Sequence, residues 1–368
     1  MSDGKAPAAV AARADRKFGP LLEALRAFIP RELIGGPEWT RLLDRIGGLP
    51  EKGVASRCGF EFRLDVPAPA ADFFVVVVPG ESLARYYIRQ GTTDGANPSS
   101  AGLARHLDLM DPNGPSLGDS AAGWNDGMTL EYDVAEVEGG AAPGVFLRMR
   151  RTRTLERKDP HHCHPRTAAA GIAAAVGWAP DEGERRAVER AFEALPAGSE
   201  VAHIGALPDR APRAIRILVQ RIERAEVPGF LERVRWSGNA DGVVSALSDF
   251  RDICRRFRLS MDVSAHGTAP RLGVELFVRE KWDQEGDWVG TNIKDWRPVV
   301  ERLQARGWCL PEKARGLLAW PGVRQLYGVK GVHFLYLGIN HVKLLIEQGG
   351  VRAKAYTGLH CAPVRPQG

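Results

Sequence analysis

Seven segments of this chain alternate polar and apolar residues with a period of two, the pattern of a strand that shows a different chemistry on each face. In VRAKAYTG, Arg352, Lys354 and Tyr356 oppose Val351, Ala353, Ala355 and Thr357. In HVKLLIE, His341, Lys343, Leu345 and Glu347 oppose Val342, Leu344 and Ile346. Arg216, Leu218 and Gln220 oppose Ile215, Ile217 and Val219. Ser260, Asp262 and Ser264 oppose Leu259, Met261 and Val263. Gly273, Glu275, Phe277 and Arg279 oppose Leu272, Val274, Leu276 and Val278. Thr129, Glu131 and Asp133 oppose Leu130, Tyr132 and Val134, and Phe146, Arg148 and Arg150 oppose Val145, Leu147 and Met149.

These segments fall into a wider order. Strands are predicted in five adjacent pairs: 59–66 with 72–79, 128–137 with 145–153, 200–207 with 213–222, 259–265 with 271–279, and 338–347 with 351–358. Two short helices precede each pair, at 18–29 and 37–46, 81–90 and 98–110, 167–177 and 181–195, 227–236 and 240–258, and 295–307 and 311–320. The pairs recur roughly every seventy residues. Pro311 sits in a first helical turn, Gly307 at a helix stop, and QGG at 348–350 in a hairpin loop. Hairpins joined by helix pairs give an antiparallel sheet with helices on one face. Ten such strands leave exposed edges unless the sheet closes. The expected fold is therefore α+β: a closed ten-stranded antiparallel barrel of five ααββ repeats, ringed by helices, spanning 18–360 as one domain. Residues 1–17 and 361–368 are expected to be flexible tails.

The helices are amphipathic, so the apolar strand faces pack on them and the polar faces line the lumen. A plain sheet with its polar face in bulk water is the competing reading. Phe146, Phe277 and Tyr356 among the charges favour an enclosed chamber. The net charge of +5 suits an anionic ligand such as a phosphate or diphosphate. No zinc-finger spacing or RNA-binding signature supports nucleic acid as a partner. Cys58, Cys163, Cys254, Cys309 and Cys361 are scattered, without CxxC spacing, which suits a reducing compartment. The N-terminal stretch lacks the apolar core of a signal peptide, and Phe73–Val78 is too short to span a bilayer. The reading is a cytoplasmic protein with no membrane partner.

This order of elements, with its polar lumen, resembles the prenyltransferase-barrel or α-β-β-α family over about residues 18–360. The resemblance rests on repeat topology rather than on a motif. The ending GINHVKLLIEQGGVRAKAYTGL also looks like the SHVK/KAYLG-type hairpin that ends a group of uncharacterised bacterial proteins, some linked to peptide natural-product pathways. The family resemblance implies a transferase that moves a prenyl group from an allylic diphosphate to a peptide or small aromatic acceptor. Lumen cations would hold the leaving diphosphate: Arg148, Arg150, Arg216, Lys343, Arg352 and Lys354. Tyr356, Phe146 and Phe277 would shield the allylic cation. Glu131 would be the base, with Glu275 and Asp262 in reserve. Cations near Glu131 are expected to keep it ionised near neutral pH. The resemblance implies no redox cofactor and leaves magnesium open, with no DDxxD-type motif present.

Rival readings stand beside these. The lumen charges could simply pair with one another as a polar core. The barrel could run other peptide chemistry on paired carboxylates, or bind an anionic peptide or metabolite without catalysis. His161, His162, Cys163 and His164 are metal-ligand types, but neighbours in sequence reach one tetrahedral ion poorly, and a plain loop is the expectation. Trp282, Trp288 and Trp296 either cap one mouth of the barrel or pack beneath the following helix.

Overall fold

Strands β1 (Cys58–Arg63), β2 (Ala71–Val77), β3 (Asn125–Tyr132), β4 (Gly144–Met149), β5 (Glu200–Ala206), β6 (Ile215–Gln220), β7 (Arg256–Ser264) and β8 (Gly267–Phe277) pair each with the next, all antiparallel. A further strand, β9 (Gly322–Gly328), precedes β10 (Gly331–Glu347) and β11 (Gly350–Pro363). β10 pairs with β8 and with β11, and β11 pairs with β1. The ring therefore closes through ten strands, as the period-two pattern predicts, and β9 hangs off the far end of β10. These elements belong to a computed structural model that describes residues 16–111, 125–134, 142–149, 164–208, 210–279, 293–328 and 331–363.

The parity read from the sequence decides what each strand face meets. Ile215, Ile217 and Val219, Leu272, Val274 and Leu276, and Val342, Leu344 and Ile346 are buried in one continuous apolar core between barrel and helices. Tyr132, with the apolar set as predicted, packs on Phe73 and lies under the Arg45 guanidinium. The helices pack outside in pairs, among them Ser82–Gly91 with Pro98–Met110 and Pro165–Ala175 with Glu182–Glu193. Local chemistry starts them where expected. Asn97 caps the helix at Pro98, and Asp181 and Glu184 form a reciprocal capping box. His164 caps the helix at Pro165, whereas His161, His162 and Cys163 lie outside the described residues. Trp296 is fully buried beneath its helix, Ile293–Ala305, while Trp282 and Trp288 also lie outside the described residues. No helix among the described residues is long and apolar enough to cross a membrane.

Several boundaries differ from expectation, and three of them have a clear physical reason. The helix predicted over 240–258 ends at Asp249, because Phe250 and Cys254 turn inward to the core and β7 begins at Arg256. β10 begins seven residues earlier than predicted, at Gly331, and pairs there with β9, which sequence reading missed. β11 runs on to Pro363 because residues 359–363 pair with 333–337, so 361–363 belong to a strand rather than a tail.

Gly59 marks the tightest point of the closing seam. A Cβ there would lie 1.8 Å from the Thr357 carbonyl oxygen and 2.5 Å from the Phe74 ring. Gly59→Ala is expected to cost about 3 kcal/mol or more in denaturant unfolding, since backbone on the partner strand must move.

Candidate functional site: a charged pocket in the barrel lumen

The polar faces converge on the barrel axis. Glu61 of β1, Glu131 of β3, Arg216 of β6, Ser260 and Asp262 of β7, Arg271 and Gly273 of β8, Lys343 and Leu345 of β10, and Lys354 and Tyr356 of β11 line one pocket. Arg210, from the β5–β6 loop, completes it, so the pocket lies toward the end where the hairpins turn. Five cations thus face three carboxyl groups.

Most of these charges are matched in pairs. Arg216 grips Asp262 with two hydrogen bonds of 2.6 and 2.9 Å. Lys354 pairs with Glu61, which lies directly across the β1–β11 seam from Tyr356. Lys343 donates to Ser260 at 3.0 Å and to Glu275 at 3.4 Å. Burial opposes ionisation of Asp262 and Glu61, but Arg216 and Lys354 respectively outweigh it and hold both carboxyls down at about 2. Burial pushes the Lys343 ammonium down.

Glu131 is the exception. Its carboxyl makes no hydrogen bond to another described residue. Burial, then the charge of Glu61, raises it to about 7, against the pull of Arg216, Lys343 and Arg210. The expectation of an ionised Glu131 at neutral pH is corrected accordingly. The neighbour favouring its proton is Glu61; Asp133, two residues further along the chain, is held by Arg210 in two hydrogen bonds of 2.8 and 2.7 Å.

Beneath the charges lies an aromatic layer. Phe74 is 6.0 Å from Tyr356, Tyr356 stacks on His341 at 4.3 Å and 13°, and His341 is 5.2 Å from Phe277. Arg256 and Arg258 lie over the Phe277 face at 5.4 and 5.0 Å. Both ring nitrogens of His341 are buried without a hydrogen-bond partner. Burial pulls His341 down to about 4, so it is neutral near pH 7. Burial also opposes ionisation of Glu275; charge on His341, then Lys343 and Arg258, favours it, and the carboxyl sits at about 2. With His341 neutral, Lys343 and Arg258 carry that role near pH 7.

Of the residues singled out from sequence, Glu131, Asp262, Arg216, Lys343, Lys354 and Tyr356 meet in the pocket. Glu275 and Phe277 lie deeper in the lumen, at Lys343 and His341. Phe146 clusters with Leu207 and Leu218, its ring lying over Gly205. Arg148 lies over Gly127 and opposite His203, outside the pocket lining. Arg352 has the predicted parity but sits at the rim, its side chain 48% exposed and paired with Glu347 at 2.7 Å; the strand's height there carries it out of the chamber. Arg150 lies outside the described residues. Glu61, Arg210, Arg271, Phe74, His203 and His341 were missed as site residues. The alternation in GFEFR, with Glu61 between buried Phe60 and Phe62, carries the signal for the first. Arg210 sits in a loop, where no period exists to read. Among the described residues no three His, Cys, Asp or Glu side chains are grouped to hold a metal ion.

No known family's sequence profile matches the chain, and no curated protein is similar to it in sequence. Among solved structures, AnaPT from Neosartorya fischeri is similar over 87% of this chain and 80% of its own, at 13% identity and a TM-score of 0.45. The fold assignment stands on the strand pairing itself.

Proposed function

We propose that the barrel is a transferase that moves a prenyl group from an allylic diphosphate to an aromatic or peptide acceptor. The observation that supports this most is the pocket's excess of cations over carboxyls, five to three, with Glu131, which makes no hydrogen bond to another described residue, among them. Arg210 and Arg271, with side chains 33% and 39% exposed, meet the diphosphate first. As the C–O bond ionises, Arg216, Lys343 and Lys354 stabilise the departing negative charge. Tyr356 and the rings stacked beyond it face the allylic cation. The acceptor carbon or heteroatom bonds to that cation, and its proton passes to ionised Glu131.

Each charge-assisted contact to a phosphate oxygen is worth roughly 1.5–3 kcal/mol. Lys354→Ala and Arg271→Ala should each weaken inorganic diphosphate binding about ten- to a hundredfold by calorimetry. Dimethylallyl diphosphate should raise the melting temperature beyond what inorganic diphosphate does at equal concentration. Diphosphate affinity unchanged in both variants places the anion elsewhere.

The pairing of Arg216 with Asp262 and of Lys354 with Glu61 favours a second reading, a binding barrel without catalysis. Tight diphosphate binding with no turnover of any prenyl diphosphate, with or without acceptors, would select it.

A further inference from the structure

Every strand of the described sheet but one has a partner on both sides. The exception is β9, which among the described residues pairs with β10 alone. Open edges are ordinarily blunted by lysine, proline or a bulge. The sequence of β9, GVRQLYG, has neither lysine nor proline, and its register with β10 is unbroken. The guanidinium of Arg324 folds back onto the carbonyl of Val323. The described residues expose three large hydrophobic side chains, and two of them are here: Val323 at 52% and Tyr327 at 80%. Four residues apart on a strand, they share one face.

The strand is also complementary to itself. Two copies run antiparallel about a two-fold axis at Gln325 set Val323 opposite the second copy's Tyr327, and Tyr327 opposite its Val323. β-branched against aromatic is a favourable cross-strand pair. Between those pairs, on the same face, Gln325 meets itself, amide to amide; on the other face Arg324 meets Leu326 and Gly322 meets Gly328. Moving the axis one residue to Arg324 sets two guanidinium groups directly opposite, which is unfavourable. Moving it to Leu326 breaks the Val323–Tyr327 pairs.

We propose that β9 is the interface of a homodimer, in which a second copy of this chain pairs antiparallel with β9 about Gln325. The two extensions then join into one six-stranded sheet, β11–β10–β9 of each copy, between the two barrels. One strand pair and its exposed side chains bury less than the roughly 800 Å² per partner of a standard interface, so the dimer is concentration-dependent.

The test uses the full chain. By analytical ultracentrifugation from about 1 to about 100 µM, a range where a small interface shows its equilibrium, the mass should rise from 40.2 kDa toward twice that. Val323→Lys combined with Tyr327→Lys should remain at one chain's mass throughout with an unchanged melting temperature, since both side chains are exposed. Tyr327→Phe should still dimerise. Cysteine substitution reads the register. Under mild oxidation, Gln325→Cys should crosslink with itself, whereas Val323→Cys and Tyr327→Cys should crosslink only when the two variants are mixed, with the parent chain as control. A parent chain monomeric at all concentrations overturns the proposal. So does a dimer that survives the double lysine variant, or a dimer whose Gln325→Cys form does not crosslink.

Discussion

Glu131→Gln should lose about a hundred- to ten-thousandfold in turnover and yet be the more stable protein in alkaline solution. Glutamine keeps the shape of the side chain and removes its proton chemistry. Turnover with Glu131 in place should climb as pH rises through about 7, because the base must be ionised, and the variant's residual rate should lack that step. Stability runs the opposite way. The folded-state value of about 7 lies above the ordinary 4.5, so the folded protein holds this proton more tightly than the unfolded chain. Its contribution is fully present below 4.5 and is lost as pH rises through about 7. At pH 8 a desolvated carboxylate without a hydrogen bond among the described residues costs on the order of a few kcal/mol, a cost that glutamine lacks. Melting temperatures of parent and variant should therefore coincide near pH 4 and diverge, variant above parent, by pH 8. A variant of normal turnover would shift attention to Glu275 or Asp262. A variant less stable at pH 8 would make Glu131 a structural partner of Arg216 and Lys343.

Arg216→Ala should be among the most damaging substitutions in the lumen, for a reason separate from ligand binding. Arg216 and Asp262 are only 12% and 16% exposed, and joined by two hydrogen bonds. Removing the guanidinium strands the carboxylate, which typically costs roughly 3–5 kcal/mol. In a chain of this length that lowers the melting temperature by about 4–6 °C. Replacing both partners by apolar residues of similar size, Arg216→Met with Asp262→Leu, should restore stability to near the parent value. It should not restore diphosphate binding. A double variant as unstable as Arg216→Ala would show that Arg216 serves the fold through contacts beyond Asp262. A single variant of parental stability would show that water solvates the stranded Asp262.

The face of each strand was legible because one face had to bury against helices and the other did not. Lys343, Lys354, Arg216 and Glu131 all point where their parity predicts. A period of two, however, says nothing of height along the barrel. Arg352 and Lys354 share parity, yet one sits half exposed at the rim while the other reaches Glu61 inside. Arg148 and Phe277 likewise have the predicted parity but lie outside the pocket lining. Partners across the lumen are invisible in sequence for the same reason. The approach of Glu61 to Glu131, which sets the proton affinity of the latter, joins strands about seventy residues apart. β9 escaped notice because it lies outside the five-pair order, although Pro321–Gly322 marks a turn between the preceding helix and this strand.

The pairing of β1 with β11 has a consequence in time. Glu61 meets Tyr356 and Lys354, and the Thr357 hydroxyl bonds the Phe60 carbonyl, across almost three hundred residues of chain. During synthesis each hairpin can join its predecessor as it emerges, but β1 waits as a bare edge until the final hairpin arrives. Contacts of such sequence separation form late and slowly. A ribosome that stalls before β11 leaves a curled, nearly complete sheet with two unsatisfied margins, the species most inclined to pair with a neighbour's. The last hairpin is thus the clasp of the barrel, and the nascent chain depends longest on protection at its first strand.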